Sequence, residues 1–79
     1  MNREVIKDFY GRIIGFRETQ PNGDVIAKDD YGKILGRFDS KMKVTKDAYG
    51  KILARGDTTS ALIWQAYYAH QQQINQNKK

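Results

Sequence analysis

Apolar and polar residues alternate along the first 55 positions in short bursts, and three of those bursts nearly coincide. Ile6-Lys7-Asp8-Phe9-Tyr10-Gly11-Arg12-Ile13-Ile14-Gly15 returns as Ala27-Lys28-Asp29-Asp30-Tyr31-Gly32-Lys33-Ile34-Leu35-Gly36 and as Thr45-Lys46-Asp47-Ala48-Tyr49-Gly50-Lys51-Ile52-Leu53-Ala54. A unit recurring at steps of 21 and then 18 residues is too small to bury its own apolar face and must lean on its neighbours. In each copy Asp-x-Tyr-Gly has the chemistry of a tight turn: Asp caps backbone N–H groups, and Gly takes positive φ at little cost. The β-branched, alternating flanks read as strands. Each copy is therefore a hairpin, a type I turn followed by a glycine bulge, over residues 5–17, 25–38 and 44–55. Gln20-Pro21-Asn22-Gly23-Asp24 and Ser40-Lys41-Met42-Lys43 are turns between hairpins, so about six short strands follow one another as an antiparallel meander. A solenoid-like stacking of the same units is the alternative, disfavoured by the tight turns.

After Asp57 the period changes. Thr58-Thr59-Ser60 offers capping hydroxyls, and a helix is predicted over about 59–74, with Ile63, Tyr67, His70 and Ile74 near one face and Trp64 and Tyr68 beside it. Residues 75–79 have no apolar reason to stay ordered. The fold class is thus α+β, mainly β, in a single domain spanning 1–79.

Strict alternation along the second strand of each hairpin sorts the side chains onto two faces. One face would carry Ile13, Gly15, Ile34, Gly36, Phe38, Ile52 and Ala54, leaving a slot at Gly15, Gly36 and Ala54. The helix should close over that slot through Leu62, Ile63, Trp64 and Tyr67. The other face would carry Ile14, Phe16, Leu35 and Leu53, rimmed by Arg12, Lys33, Arg37, Lys51 and Arg55. No second helix remains to cover it. Ile14, Phe16, Leu35 and Leu53 are accordingly the candidate protein-interaction residues, with a second copy of the chain the favoured partner, as a dimer. Snorkelling of the flanking stems is the plainer account of the same stripe.

Composition narrows the classes without naming a process. The chain has 79 residues and 39% apolar residues, which suits one folded domain with a thin core. No stretch reaches the length of a membrane span and the first residues lack a signal-peptide core, so a cytoplasmic location without membrane contact is expected. With no cysteine, disulfides and thiolate chemistry drop out. The net charge of +5 makes Arg12, Lys33, Arg37, Lys51 and Arg55 candidate polyanion-binding residues. Phe16 and the turn tyrosines Tyr10, Tyr31 and Tyr49 are stacking surfaces for single-stranded nucleic acid, although tyrosines folded back over their own hairpins explain the turns more simply.

Catalytic, metal and cofactor sites are not indicated. His70, the only histidine, has no carboxylate placed beside it by sequence, and a catalytic role would need a pocket that brings it to an Asp or Glu. Asp8, Asp29 and Asp47 each open a turn, and Asn22-Gly23-Asp24 falls short of a calcium loop. Arg55-Gly56-Asp57 spells an adhesion tripeptide at the junction of the third repeat and the helix cap. The triplicated Asp-x-Tyr-Gly-(Arg/Lys)-Ile-(Ile/Leu)-(Gly/Ala), followed by Arg55-Gly56-Asp57 and a short helix, resembles small proteins of Gram-positive bacteria, often encoded in phages or other mobile elements. The resemblance covers residues 5 to about 65. It implies a bacterial, cytoplasmic, mobile-element setting and transfers no active site. The reading of the sequence is a non-enzymatic, self-associating interaction or regulatory module that binds another macromolecule, with a nucleic-acid-binding protein using a basic sheet face as the alternative.

Overall fold

A tight turn that satisfies its own backbone starts each hairpin, and the computed structural model, which describes residues 2–76, shows the same turn three times. Asp8 N–H donates to the Arg12 carbonyl at 2.9 Å and Gly11 N–H to the Asp8 carbonyl at 3.1 Å. Asp29 with Lys33 and Gly32, and Asp47 with Lys51 and Gly50, repeat both bonds at 2.8–3.1 Å. Gly11, Gly32 and Gly50 hold φ of 82°, 86° and 88°, a conformation that costs an L residue with a Cβ about 1–2 kcal/mol. The aspartate locks the turn a second time: Oδ1 of Asp8 accepts the N–H groups of Tyr10 and Arg12, and Asp29 and Asp47 do the same two and four residues on, all at 2.8–3.0 Å.

The strands are β1 (Asn2–Lys7), β2 (Ile13–Thr19), β3 (Val25–Asp29), β4 (Ile34–Asp39), β5 (Val44–Asp47) and β6 (Ile52–Arg55), followed by α1 (Thr59–Gln76). They form one open antiparallel sheet in the order β1-β2-β3-β4-β5-β6, the expected meander. The β2–β3 turn repeats the glycine device at Gly23, φ 94°. The β4–β5 turn instead puts Lys43 in the left-handed region at φ 57°. The expected helix over 59–74 corresponds to α1, which runs on through Asn75 and Gln76 where a disordered tail was expected; residues 77–79 of that tail lie outside the described residues. No described helix is long and apolar enough to cross a membrane.

A bulge in each hairpin overturns the expected sorting of faces. Ile6 pairs with Gly15 but Lys7 with Ile13, Ala27 with Gly36 but Lys28 with Ile34, and Thr45 with Ala54 but Lys46 with Ile52. Ile14, Leu35 and Leu53 are the extra residues. A bulge turns two successive side chains to one side and breaks the period of two. Ile14 therefore sits in the core, 6% exposed, with Ala27 and Ile63, both fully buried, and Leu35 packs against them. Ile13, Ile34 and Ile52 turn to the opposite face, 46%, 49% and 51% exposed.

α1 crosses β2, β3 and β4, and close approach explains the small residues beneath it. A Cβ built on Gly15 would lie 2.6 Å from Ile63 Cγ2, and one on Gly36 2.6 Å from Leu62 Cδ1. The slot expected at these glycines is thus the helix seat. Ala54 lies at its margin, beside an open groove lined by Leu53, Thr58, Ala61, Leu62 and Gln65.

The helix is fastened at its N-terminal end. Asp57 Oδ1 accepts the Thr59 N–H at 3.0 Å and its hydroxyl at 2.6 Å, so an aspartate caps α1 in front of the hydroxyls expected to do so. Arg17, reaching up from β2, donates from Nε to Thr59 Oγ1 at 2.9 Å and from Nη2 to Asp57 Oδ2 at 2.7 Å, and pairs with Glu4. The fully buried Thr45 donates to the Gly56 carbonyl at 2.6 Å and accepts the Thr58 N–H at 2.9 Å. One turn of helix is thereby tied to β1, β2 and β5.

Candidate functional site

Two surfaces gather the residue types that could recognise a partner: the face of the sheet opposite α1, and the end of the sheet where the three hairpin tips stand.

On the bare face, register brings Val5, Phe16, Lys28 and Ile34 into one row across β1 to β4, and Glu18, Ile26, Arg37 and Lys46 into the next. Ile13, Ile34 and Ile52 recur at the equivalent place in each repeat. Around them stand Arg3, Lys7, Lys28, Arg37, Lys46 and Arg55, six cations against the carboxylates of Glu18, Asp24 and Asp39. Glu18 pairs with Lys28 at 3.0 Å, Asp39 with Lys46 at 3.4 Å, and Arg37 with Asp24 at 2.8 Å. The Arg3 guanidinium lies 3.8 Å from the centre of the Phe16 ring, a cation–π contact that covers part of the ring. The surface is basic and striped with aliphatic side chains.

Of the residues expected on this surface, Phe16, Arg37 and Arg55 are there. Ile14 and Leu35 are under the helix, and Leu53, 46% exposed, borders the groove beside Ala54; the bulge is the physical reason. Arg12, Lys33 and Lys51 follow the turn glycines, at the tip end. Arg12 donates from Nε to Asp8 Oδ2 at 3.0 Å. Val5, Arg3, Lys28 and Lys46 escaped the sequence reading, and Ile13, Ile34 and Ile52 were expected on the opposite face, under the helix. Two apolar residues in succession followed by a small one, Ile-Ile-Gly, Ile-Leu-Gly and Ile-Leu-Ala, were the available signal, because a small residue within a strand pattern often marks a bulge.

At the tip end the tyrosines do not fold back over their hairpins. Tyr10, Tyr31 and Tyr49 are 85%, 87% and 96% exposed. Between the first two tips and α1 lies a groove of about 300 Å³ lined by Arg12, Asp29, Tyr31, Tyr67 and His70 among others. Asp8 forms its floor, its side chain only 2% exposed, and the Tyr67 hydroxyl donates to its Oδ2 at 3.0 Å. Burial disfavours the Asp8 charge, but the N–H groups of Arg12 and Tyr10, the Tyr67 hydroxyl and the Arg12 guanidinium outweigh it and hold the carboxyl below its ordinary value. Beside the groove Trp64 meets Tyr67 edge-on at 5.9 Å and Tyr68 at 5.8 Å, with Phe9 at 6.3 Å. The groove does bring His70 near carboxylates, yet among the described residues His70 is hydrogen-bonded to none of them, and those of Asp8 are occupied by the turn, Arg12 and Tyr67. Among the described residues no cluster of His, Asp or Glu has the spacing of a metal site.

The chain matches no family model, no curated protein and no solved structure. The functional reading therefore rests on the chemistry of these two surfaces.

Proposed function

We propose that this protein is a non-enzymatic interaction module that self-associates as a dimer, and contacts another macromolecule, through the bare face of its sheet. The observation that carries the reading is the triple recurrence of a half-exposed isoleucine, Ile13, Ile34 and Ile52, on a face that no described element covers. An antiparallel sheet leaves one face to water when that face is polar; an aliphatic stripe there favours contact. Two such faces stacked as a sandwich, offset so that Glu18 and Asp39 meet the other copy's cations, would bury the isoleucines.

Light scattering at low and high salt, with the 260/280 nm absorbance ratio taken on the same peak, tests this. The expected result is a dimer, free of nucleic acid, that tightens with salt because salt screens the repulsion between two basic faces. A monomer at every salt concentration would defeat the proposal. The excess of Lys and Arg on the same face favours one second reading, binding of a nucleic-acid backbone. That reading expects co-elution with nucleic acid at low salt and its release as salt rises.

A further inference from the structure

Three nearly fully exposed tyrosines, at equivalent places on three turns held by identical hydrogen bonds, are unexplained by the bare face. We propose that the hairpin tips form a binding platform for a single extended, uncharged polysaccharide chain, with one sugar seated in the groove between the first two tips and α1. The proposal is independent of the bare face.

The tips of the β1–β2, β3–β4 and β5–β6 turns all stand at one end of the sheet, each two strands from the next. Strands lie about 4.8 Å apart, so successive tyrosines are set about 10 Å from one another. An extended β-1,4-linked pyranose chain repeats as a flat disaccharide of nearly that length, so every second sugar can present the same C–H face to a ring. The aspartate bonds of 2.8–3.0 Å fix the backbone under each ring, so little ordering entropy is lost on binding. Charge speaks against a polyanion here. Asp8, Asp29, Asp30 and Asp47 stand at the same end as Arg12, Lys33 and Lys51, and a phosphate chain draws its affinity from net positive charge. The groove offers sugar hydroxyls a mixture of donors and acceptors, Arg12, Asp29, His70 and Gln71, between the aromatic walls of Tyr31 and Tyr67. Strand twist of about 20–25° per strand turns each tip roughly 45° from the last. That suits one soluble, twisting chain and not a flat crystalline surface.

The test is affinity electrophoresis of the intact protein in gels containing hydroxyethyl cellulose, xylan or glycol chitin, with oligothymidylate as a parallel probe. Retardation by at least one of the three polymers is expected. Tyr31→Ala and Tyr49→Ala should each weaken it about tenfold, the size of one aromatic contact, with the melting temperature unchanged because both rings are in solvent. Ile34→Glu, on the bare face, should leave retardation intact, which separates this site from the self-association surface. The proposal is overturned by migration unaffected by all three polymers, by retardation that survives both tyrosine substitutions, or by tyrosine-dependent binding to oligothymidylate in place of the polysaccharides.

Discussion

Adding one methyl group at Gly15 should unseat α1. Gly15 has no unusual φ, so Ala there is acceptable to the backbone, and a Gly→Ala change at a compatible position stabilises a protein by about 0.4–1 kcal/mol through the unfolded chain. Space decides the opposite outcome. The new Cβ would lie 2.5 Å from the Lys28 carbonyl oxygen, 2.6 Å from Ile63 Cγ2 and 3.3 Å from Ile63 Cγ1, where carbon atoms prefer roughly 3.5–4.0 Å. Ile63 is fully buried and has nowhere to go, so the helix must lift by close to an ångström. Overpacking of this kind costs about 1–3 kcal/mol, leaving a net loss of about 1–2 kcal/mol. In a domain of this size that lowers Tm by about 5–15 °C, read by far-UV circular dichroism and by a lower urea midpoint at unchanged slope. Gly36→Ala should act in the same direction, against Leu62 Cδ1 and the Lys46 carbonyl oxygen. The third repeat is the internal control: Ala54 already carries a Cβ at the equivalent position, beside the open groove at the margin of α1. A Gly15→Ala protein that melts at or above the parent temperature would refute the seat of the helix.

The neighbours Ile34 and Leu35 should respond in opposite ways to glutamate: Ile34→Glu gives a folded monomer by light scattering and circular dichroism, whereas Leu35→Glu, which charges a residue packed on Ile14, Ala27 and Ile63, lowers the melting temperature sharply. Asp24 accepts the Ser40 N–H and hydroxyl at 2.8 and 2.9 Å and the Arg37 guanidinium at 2.8 Å, which together hold its pKa down to about 2 from an ordinary 3.8. A depressed carboxyl contributes stability that is present above about pH 4 and lost as pH falls toward 2, so Asp24→Asn should flatten the fall in urea midpoint across that window; an unchanged acid profile would contradict the Ser40 and Arg37 contacts. Lys43, at φ 57°, should gain up to about 1 kcal/mol on replacement by Gly or Asn, since both enter the left-handed region more readily, and a raised Tm is the check.

What was legible in the sequence is what local chemistry decides. Asp-x-Tyr-Gly specifies its turn through bonds no more than four residues long, so three hairpins, a meander and a terminal helix follow from the residues alone, as does the need for small residues wherever a helix crosses a strand. Facing did not follow. A bulge forms only when the partner strand is present to oppose one residue with two, and its single extra residue exchanges Ile13 for Ile14 and Ile34 for Leu35 between core and solvent, and turns Ile52 to the bare face while Leu53 goes to the margin of the helix seat. The exposure of Tyr10, Tyr31 and Tyr49, the groove at Tyr67 and the grip of Arg17 on the Asp57 cap were likewise decided by tertiary structure. The groove and the Arg17 grip depend on where α1 lands across β2 to β4, and that is set by the whole apolar surface the helix can bury and by no single stretch of the chain.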